Sequence, residues 1–231
     1  MTLSLTRRAG AEFAGCTLLS IVVIGSGMAA QRLSPGDTGL ELLENAIATG
    51  CGLMAIIYMF SGASGAHLNP AVTIADAWLG RAPWREVAVY APAQVLGCTG
   101  GAVLANVMFS QAAISLSVKD RASGAHFLSE VVATTGLLLL LFMMVRNDHR
   151  PAVPAAVGAY IAGAYFFTSS TSFANPAITV GRMFSNSFAG IAPASVPVFV
   201  VAQLLAVPIA VFLVSILNPR PEKVFLEEQP R

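Results

Sequence analysis

Asn69-Pro70-Ala71 and Asn175-Pro176-Ala177 are the places where residue type and spacing in this chain could act on a passing molecule. Asn is a strong helix N-cap, and Pro fits the first helical position, where its missing N–H costs nothing. Each tripeptide therefore predicts the start of a helix. Both begin at place 25 of a charge-free run of 31 residues, 45–75 and 151–181. Such a run exceeds one bilayer crossing by about ten residues, so each helix starts deep in the membrane. Irregular backbone at that depth survives only where it lines a cavity or is buried in protein. Two helix N-termini facing each other there, each worth about +0.5 charge, would repel cations and protons. The Asn69 and Asn175 side chains can cap with their oxygens and offer amide donors to the lumen. A water that must accept from both donors breaks a continuous proton wire. The chemistry is selective passage.

The elements that must position these asparagines follow from the same repeat. Ala71-Val72-Thr73 matches Ala177-Ile178-Thr179, an offset of 106 residues (69 to 175). The stretches just before each cap, 61–67 and 168–172, are small and polar and could present a ladder of carbonyls. Charge-free runs predict membrane spans at 9–30, 42–62, 85–109, 126–146, 153–170 and 195–217, with two half-spans at 69–80 and 175–185. Each half holds three spans, an odd number, so the halves have opposite orientation, as in inverted-repeat channels and transporters with a midplane site. The expected fold is an all-α membrane protein: one channel domain over 1–231, built from inverted repeats at about 9–109 and 126–217.

Composition excludes the main alternatives. The 231 residues are 55% hydrophobic and 11% charged, with mean hydropathy +0.71; soluble domains carry about 25% charged residues. An ordinary soluble enzyme, a disordered chain and a coiled coil are excluded, and a net charge of +1 gives no reason to expect nucleic acid. Cys16, Cys51 and Cys98 lie in apolar stretches and read as small buried hydrophobes. His67, His126 and His149 fall in different segments, so neither a metal site nor an intramembrane catalytic cluster is expected, and no cofactor. Arg7-Arg8 ahead of an apolar run looks like a signal peptide, but Glu12 stands where the apolar core of a signal should have begun, so an uncleaved first helix is expected. With both termini in the cytoplasm, nine Lys/Arg lie inside (Arg7, Arg8, Arg81, Arg85, Arg146, Arg150, Arg220, Lys223, Arg231) and four outside (Arg32, Lys119, Arg121, Arg182). That bias favours cytoplasmic termini. Residues 220–231 form a tail too short for a domain and expected to be mobile.

On Ser64-Gly65-Ala66-His67-Leu68-Asn69-Pro70-Ala71-Val72-Thr73, the second Asn175-Pro176-Ala177, and Glu12 and Glu130 in the first and fourth spans, the chain resembles the aquaporin (major intrinsic protein) family. The resemblance implies an hourglass channel with one pore per protomer, assembled as a homotetramer in the cell (inner) membrane and open to water and small neutral solutes. It assigns Glu12 and Glu130 to holding the pore loops, and His67 to packing the first loop and lending a backbone carbonyl. Counted without gaps from the two motifs, the filter falls on Thr49, Gly163, Ser172 and Ile178. Water-selective members and glycerol facilitators usually carry Arg at the place of Ile178, and an aromatic residue at the place of Thr49. The expected filter is wide, mildly polar and uncharged, which favours glycerol, urea and undissociated metalloid acids over water alone. With Gly181-Arg182-Met183-Phe184 and the segment 188–193, the aliphatic Ile178 is similar to bacterial aquaporins associated with arsenic resistance, which pass arsenite or methylated arsenicals. The alternatives are a channel mainly for water and a closed-pore structural membrane protein. Asp76 and Arg182 stand seven residues after their asparagines. Both read as interfacial, snorkelling or ion-paired, with Arg182 as a displaced filter charge the competing reading.

Overall fold

The computed structural model describes residues 3–218, so the tail lies outside the described residues. In chain order the helices are α1 (Leu5–Leu33), α2 (Thr38–Ser64), a short α3 (Pro70–Trp78), α4 (Trp84–Met108), α5 (Gly124–Arg146), α6 (Val153–Phe167), a second short α7 (Pro176–Arg182) and α8 (Val196–Leu217). Among the described residues there is no strand. Each half is two long helices, a re-entrant short helix and a third long helix. Asp37 caps α2 by accepting from the Leu40 N–H at 3.0 Å, and Ser123 caps α5 by accepting from His126 at 3.1 Å. Gly65, at φ 91°, ends α2 in the left-handed conformation that favours glycine.

By length and composition α1, α2, α4, α5 and α8 can each cross a membrane. The span expected at 153–170 is shorter. Thr168 turns extended (φ −117°, ψ 140°), so α6 has 15 residues, about 22 Å. The chain leaves the helix early because the next residues form the loop that re-enters the protein.

Packing follows the repeat. α1 lies against α4 and α2, α5 against α8, and α2 against α6. Lipid tails are as apolar as leucine, so helices in a bilayer associate by close van der Waals packing at small residues. Gly97 and Gly101 make that contact on α4: a Cβ there would stand 2.4 Å from the Phe13 carbonyl oxygen and 2.3 Å from that of Thr17. Gly50 and Gly158 do the same where α2 crosses α6, at 2.8 and 2.5 Å from each other's carbonyl oxygens. Gly101→Val should cost about 3 kcal/mol of stability, the upper end for overpacking. Gly100→Ala, where a Cβ meets nothing within 4 Å, should be neutral. Thermal unfolding in detergent measures both, and equal midpoints would contradict the close-packing account. Cys16 and Cys98 are buried as expected, but Cys51 is exposed. It follows Gly50 by one residue, about 100° around α2, and so turns away from the α6 crossing.

Candidate functional site

The first residues of α3 and α7 are capped from within. Asn69 and Asn175 share an extended backbone, φ −158° in both. The Oδ1 of Asn69 accepts from the Ala71 N–H at 2.9 Å; that of Asn175 accepts from Ala177 at 2.9 Å and Ile178 at 3.3 Å. Each amide then reaches across the repeat. Asn69 Nδ2 donates to the Ala174 carbonyl at 2.8 Å, and Asn175 Nδ2 to the Leu68 carbonyl at 2.7 Å. An amide nitrogen carries two hydrogens, so one on each asparagine is left for a molecule in the lumen. Pro70 and Pro176 occupy the first helical position as expected, followed by the fully buried Ala71 and Ala177.

The loops leading to these caps are held in a strained backbone. Ala66 (φ 50°) and Leu68 (φ 53°) have counterparts at Ser172 (φ 47°) and Ala174 (φ 48°), again 106 residues apart, and Thr171 (φ 62°) corresponds to Gly65. Left-handed non-glycine residues cost roughly 1–2 kcal/mol each and persist only where their surroundings over-determine them. Two carboxylates supply the constraint. Glu12, from α1, accepts from Ser64 Oγ (2.5 Å), the His67 N–H (3.0 Å), the Leu68 N–H (2.6 Å) and Gln94 Nε2 (2.7 Å). Glu130, from α5, accepts from Ser170 Oγ (2.6 Å), the Phe173 N–H (2.9 Å), the Ala174 N–H (2.8 Å) and Gln203 Nε2 (2.7 Å). Both carboxylates are fully buried. His67 packs the loop edge-on to Tyr90 at 5.5 Å, with Nδ1 3.2 Å from Thr73 Oγ1.

Gln94 and Gln203 escaped the sequence reading. Each also donates to the threonine of its own half-helix, Thr73 at 3.1 Å and Thr179 at 2.9 Å. The available signal was an aromatic followed four residues later by glutamine, Tyr90/Gln94 and Phe199/Gln203, inside otherwise apolar spans.

A cavity of about 400 Å³ runs past both asparagines, from Asp76, Arg81 and Pro151 at the face where α1 begins and α8 ends to Tyr165, Phe173 and Arg182. Its lining combines apolar side chains (Leu19, Leu53, Ile57, Leu137, Leu141, Ile161) with residues of the two loops, Gly65 to Asn69 and Phe173 to Asn175. Of the four filter positions expected from counting, the cavity is lined by Thr49. Gly163 is not brought there: it is exposed, and a Cβ on it would meet only Phe167, at 4.0 Å. The lining residues of α6 are Val153, Pro154, Val157, Ile161 and Tyr165, and Gly163 lies two residues, about 200°, from both Ile161 and Tyr165. Tyr165 lines the cavity, with its hydroxyl 3.2 Å from Thr49 Oγ1. Ser172 is buried beside the lining Phe173 with its Oγ unpartnered. Ile178 packs in the apolar core.

A family model described as Major intrinsic protein matches residues 1–172. The chain belongs to the major intrinsic protein family. It is 43% identical over 226 residues to Aquaglyceroporin AqpS of Rhizobium meliloti, covering 98% of this chain and 96% of that one. It is 34% identical over 134 residues to the Glycerol uptake facilitator protein of Bacillus subtilis, covering 52% and 49%. The structure resembles that of the aquaglyceroporin from Plasmodium falciparum, with TM-score 0.72 and 22% identity over 94% of this chain and 98% of the other. Major intrinsic proteins are membrane channels, not enzymes, and this one has the family's helical fold.

In this major intrinsic protein both ends of the cavity carry arginine, Arg81 and Arg150 at one and Arg182 at the other. Asp76, at the end of the cavity where α1 begins, is ion-paired as expected: its Oδ1 lies 2.9 Å from Arg81 Nε, and its Oδ2 3.8 Å from His67 Nε2. The opposite mouth gathers cations. Arg121 donates to the carbonyls of Gly190 (2.9 Å), Ser170 (3.4 Å) and Phe188 (3.4 Å). Lys119 donates to the Phe188 carbonyl at 3.0 Å. Burial, with Arg121 and Arg182 nearby, pushes the Lys119 ammonium down to about 8. Arg182 is not the interfacial side chain expected: it is 2% exposed and lines the cavity.

Proposed function

We propose that this chain is a passive channel for small polar neutral solutes: glycerol, urea, undissociated metalloid acids such as arsenite or methylated arsenicals, and some water. The observation that carries this reading is the mixed lining of the cavity, apolar side chains together with the amide-bearing Asn69 and Asn175. A polyol is mixed in the same way, its carbons meeting the leucines while its hydroxyls meet the donors, and pore lining of this kind sets selectivity. The narrow ring is proposed to include Thr49 and Tyr165, which line the cavity, with Ser172 and the aliphatic Ile178 behind it. The relatives named aquaglyceroporin and glycerol uptake facilitator support the solute class. The family resemblance supports a homotetramer, and the nine-to-four distribution of basic residues supports an inner-membrane protein with cytoplasmic termini.

Reconstituted vesicles placed in isosmotic glycerol, urea or arsenite should swell at least about tenfold faster than protein-free vesicles, as expected for a lined pore. Swelling no faster than that of empty vesicles would leave the closed-pore structural reading. Thr49→Trp should cut glycerol flux by about fivefold and water flux by less, because bulk added at a constriction acts on solute size. Equal losses for both would remove Thr49 from the narrow ring.

A further inference from the structure

The repeat places Asp76 and Arg182 in equivalent positions, each seven residues beyond its capping asparagine, at opposite ends of one cavity. Asp76 has its charge answered by Arg81. Arg182 does not: among the described residues no carboxylate lies within ion-pair distance of it. Its Nε donates to the Ala189 carbonyl, which fixes the plane of the guanidinium. Neither Nη has a hydrogen-bond partner among the described residues, nor is either one sealed from the cavity as an orphaned buried atom. The guanidinium carbon lies 3.4 Å from the centroid of the Phe173 ring, with Arg121 also near that ring, at 5.1 Å. Arg121 has three carbonyl partners and serves to hold the loops. Arg182 keeps four N–H donors.

A charged group inside a membrane protein is expensive unless it is paired or used, and marks a functional site by default. The direction of the side chain says where this one acts. Helical side chains lean toward the helix N-terminus and cover the turn before their own Cα. Arg182 ends α7 and leans back toward Ile178, four residues earlier, onto Phe173, which precedes the cap. Tyr165 and Thr49, hydrogen-bonded to each other, line the same cavity.

We propose that Arg182, laid over Phe173, supplies the positive charge and free donors of the constriction from one helical turn beyond Ile178. The narrow ring is then Thr49, Tyr165, Phe173 and Arg182: a cation barrier and a donor fork for the oxygens of a neutral solute. This rests on the channel reading and adds a specificity-determining residue to it.

The test uses the full chain in vesicles in a Cys51→Ser background, since Cys51 is the exposed thiol and Cys16 and Cys98 are buried. Sodium leak and glycerol swelling are measured for Arg182→Gln, Arg182→Lys and Arg182→Cys. Arg182→Gln should leak sodium about tenfold faster while still swelling in glycerol; tenfold corresponds to about 1.4 kcal/mol of barrier. Arg182→Lys should stay sealed. Arg182→Cys should leak until an aminoethyl methanethiosulfonate adds an ammonium, and a neutral methyl reagent should not seal it. The proposal is overturned if Arg182→Gln swells but holds sodium as the unsubstituted chain does. It is also overturned if Arg182→Lys leaks as Gln does, or if both reagents seal the Cys variant equally. Failure of the unsubstituted chain to swell would instead remove the channel reading.

Discussion

Glu130→Ala is expected to destabilise the channel by about 4 kcal/mol or more, within or above the range for stripping a buried charge network of one partner. Four donors converge on this carboxylate between 2.6 and 2.9 Å. Hydrogen bonds to a charged acceptor contribute about 1.5–3 kcal/mol each. Two of the donors are backbone N–H groups, which cannot turn to find another acceptor. The same deletion releases Thr171, Ser172 and Ala174 from a left-handed backbone, so part of the loss returns as relieved strain, roughly 1–2 kcal/mol per residue. Glu130→Gln keeps one acceptor oxygen but aims an NH2 at donors, and should lose about half as much. Thermal unfolding in detergent reads the stability and solute flux reads the loop. An Ala variant within about 1 kcal/mol of the unsubstituted chain would show that the loop is held by packing, since ordinary exposed substitutions fall in that range.

The second large effect is electrical. Asn175→Asp should raise cation leak by about a hundredfold. The aspartate keeps the oxygen that caps Ala177 and Ile178 but replaces the amide that donates to Leu68. It places a full negative charge where two helix N-termini contribute about +0.5 each. At 5 Å and an effective dielectric of 20, a unit charge changes a cation's energy by about 3 kcal/mol, or about two decades in rate. Asn175→Ala separates charge from capping: it removes the cap, worth about 1 kcal/mol, and adds no charge, so its leak should rise far less. Sodium or proton flux driven by a potassium diffusion potential distinguishes the two. Equal leak in Asp, Ala and the unsubstituted chain would end the electrostatic account of the midplane.

Much of this architecture could be read from residue types because it obeys local rules. Asn-Pro at equal depth in equal charge-free runs marks a helix start inside the membrane, and α3 and α7 begin at Pro70 and Pro176. Span limits drifted by a few residues: α1 runs past Arg32 to Leu33, and α6, with no charge to mark its end, stops at Phe167. Three features were not legible. The left-handed run at 171, 172 and 174 contains no glycine, so nothing in Thr171, Ser172 or Ala174 announces it; Glu130 imposes it from another helix. Gln94 and Gln203 look like strays in apolar spans until their carboxylate partners are in place. Gly163 follows from counting through the irregular segment 168–174, which has no fixed rotation per residue, so the count loses its helical phase and falls on a residue outside the cavity lining. Arg182 was misjudged for a related reason. Its distance from Ile178 along α7 was readable, but its stacking on Phe173 crosses a turn and a loop.

The reciprocal amide bonds between the two loops also set a timetable for biogenesis. Asn69 awaits a carbonyl 105 residues later in the chain, and at about 5–20 residues per second the ribosome needs about 5–20 s to make it. During that interval the first three spans can hold their re-entrant turn through Glu12, but the Asn69 amide has no carbonyl to meet. The amino-terminal half is therefore an insertion intermediate that the translocon or its helpers must shelter. The channel closes on itself as an assembled object only when the second asparagine emerges.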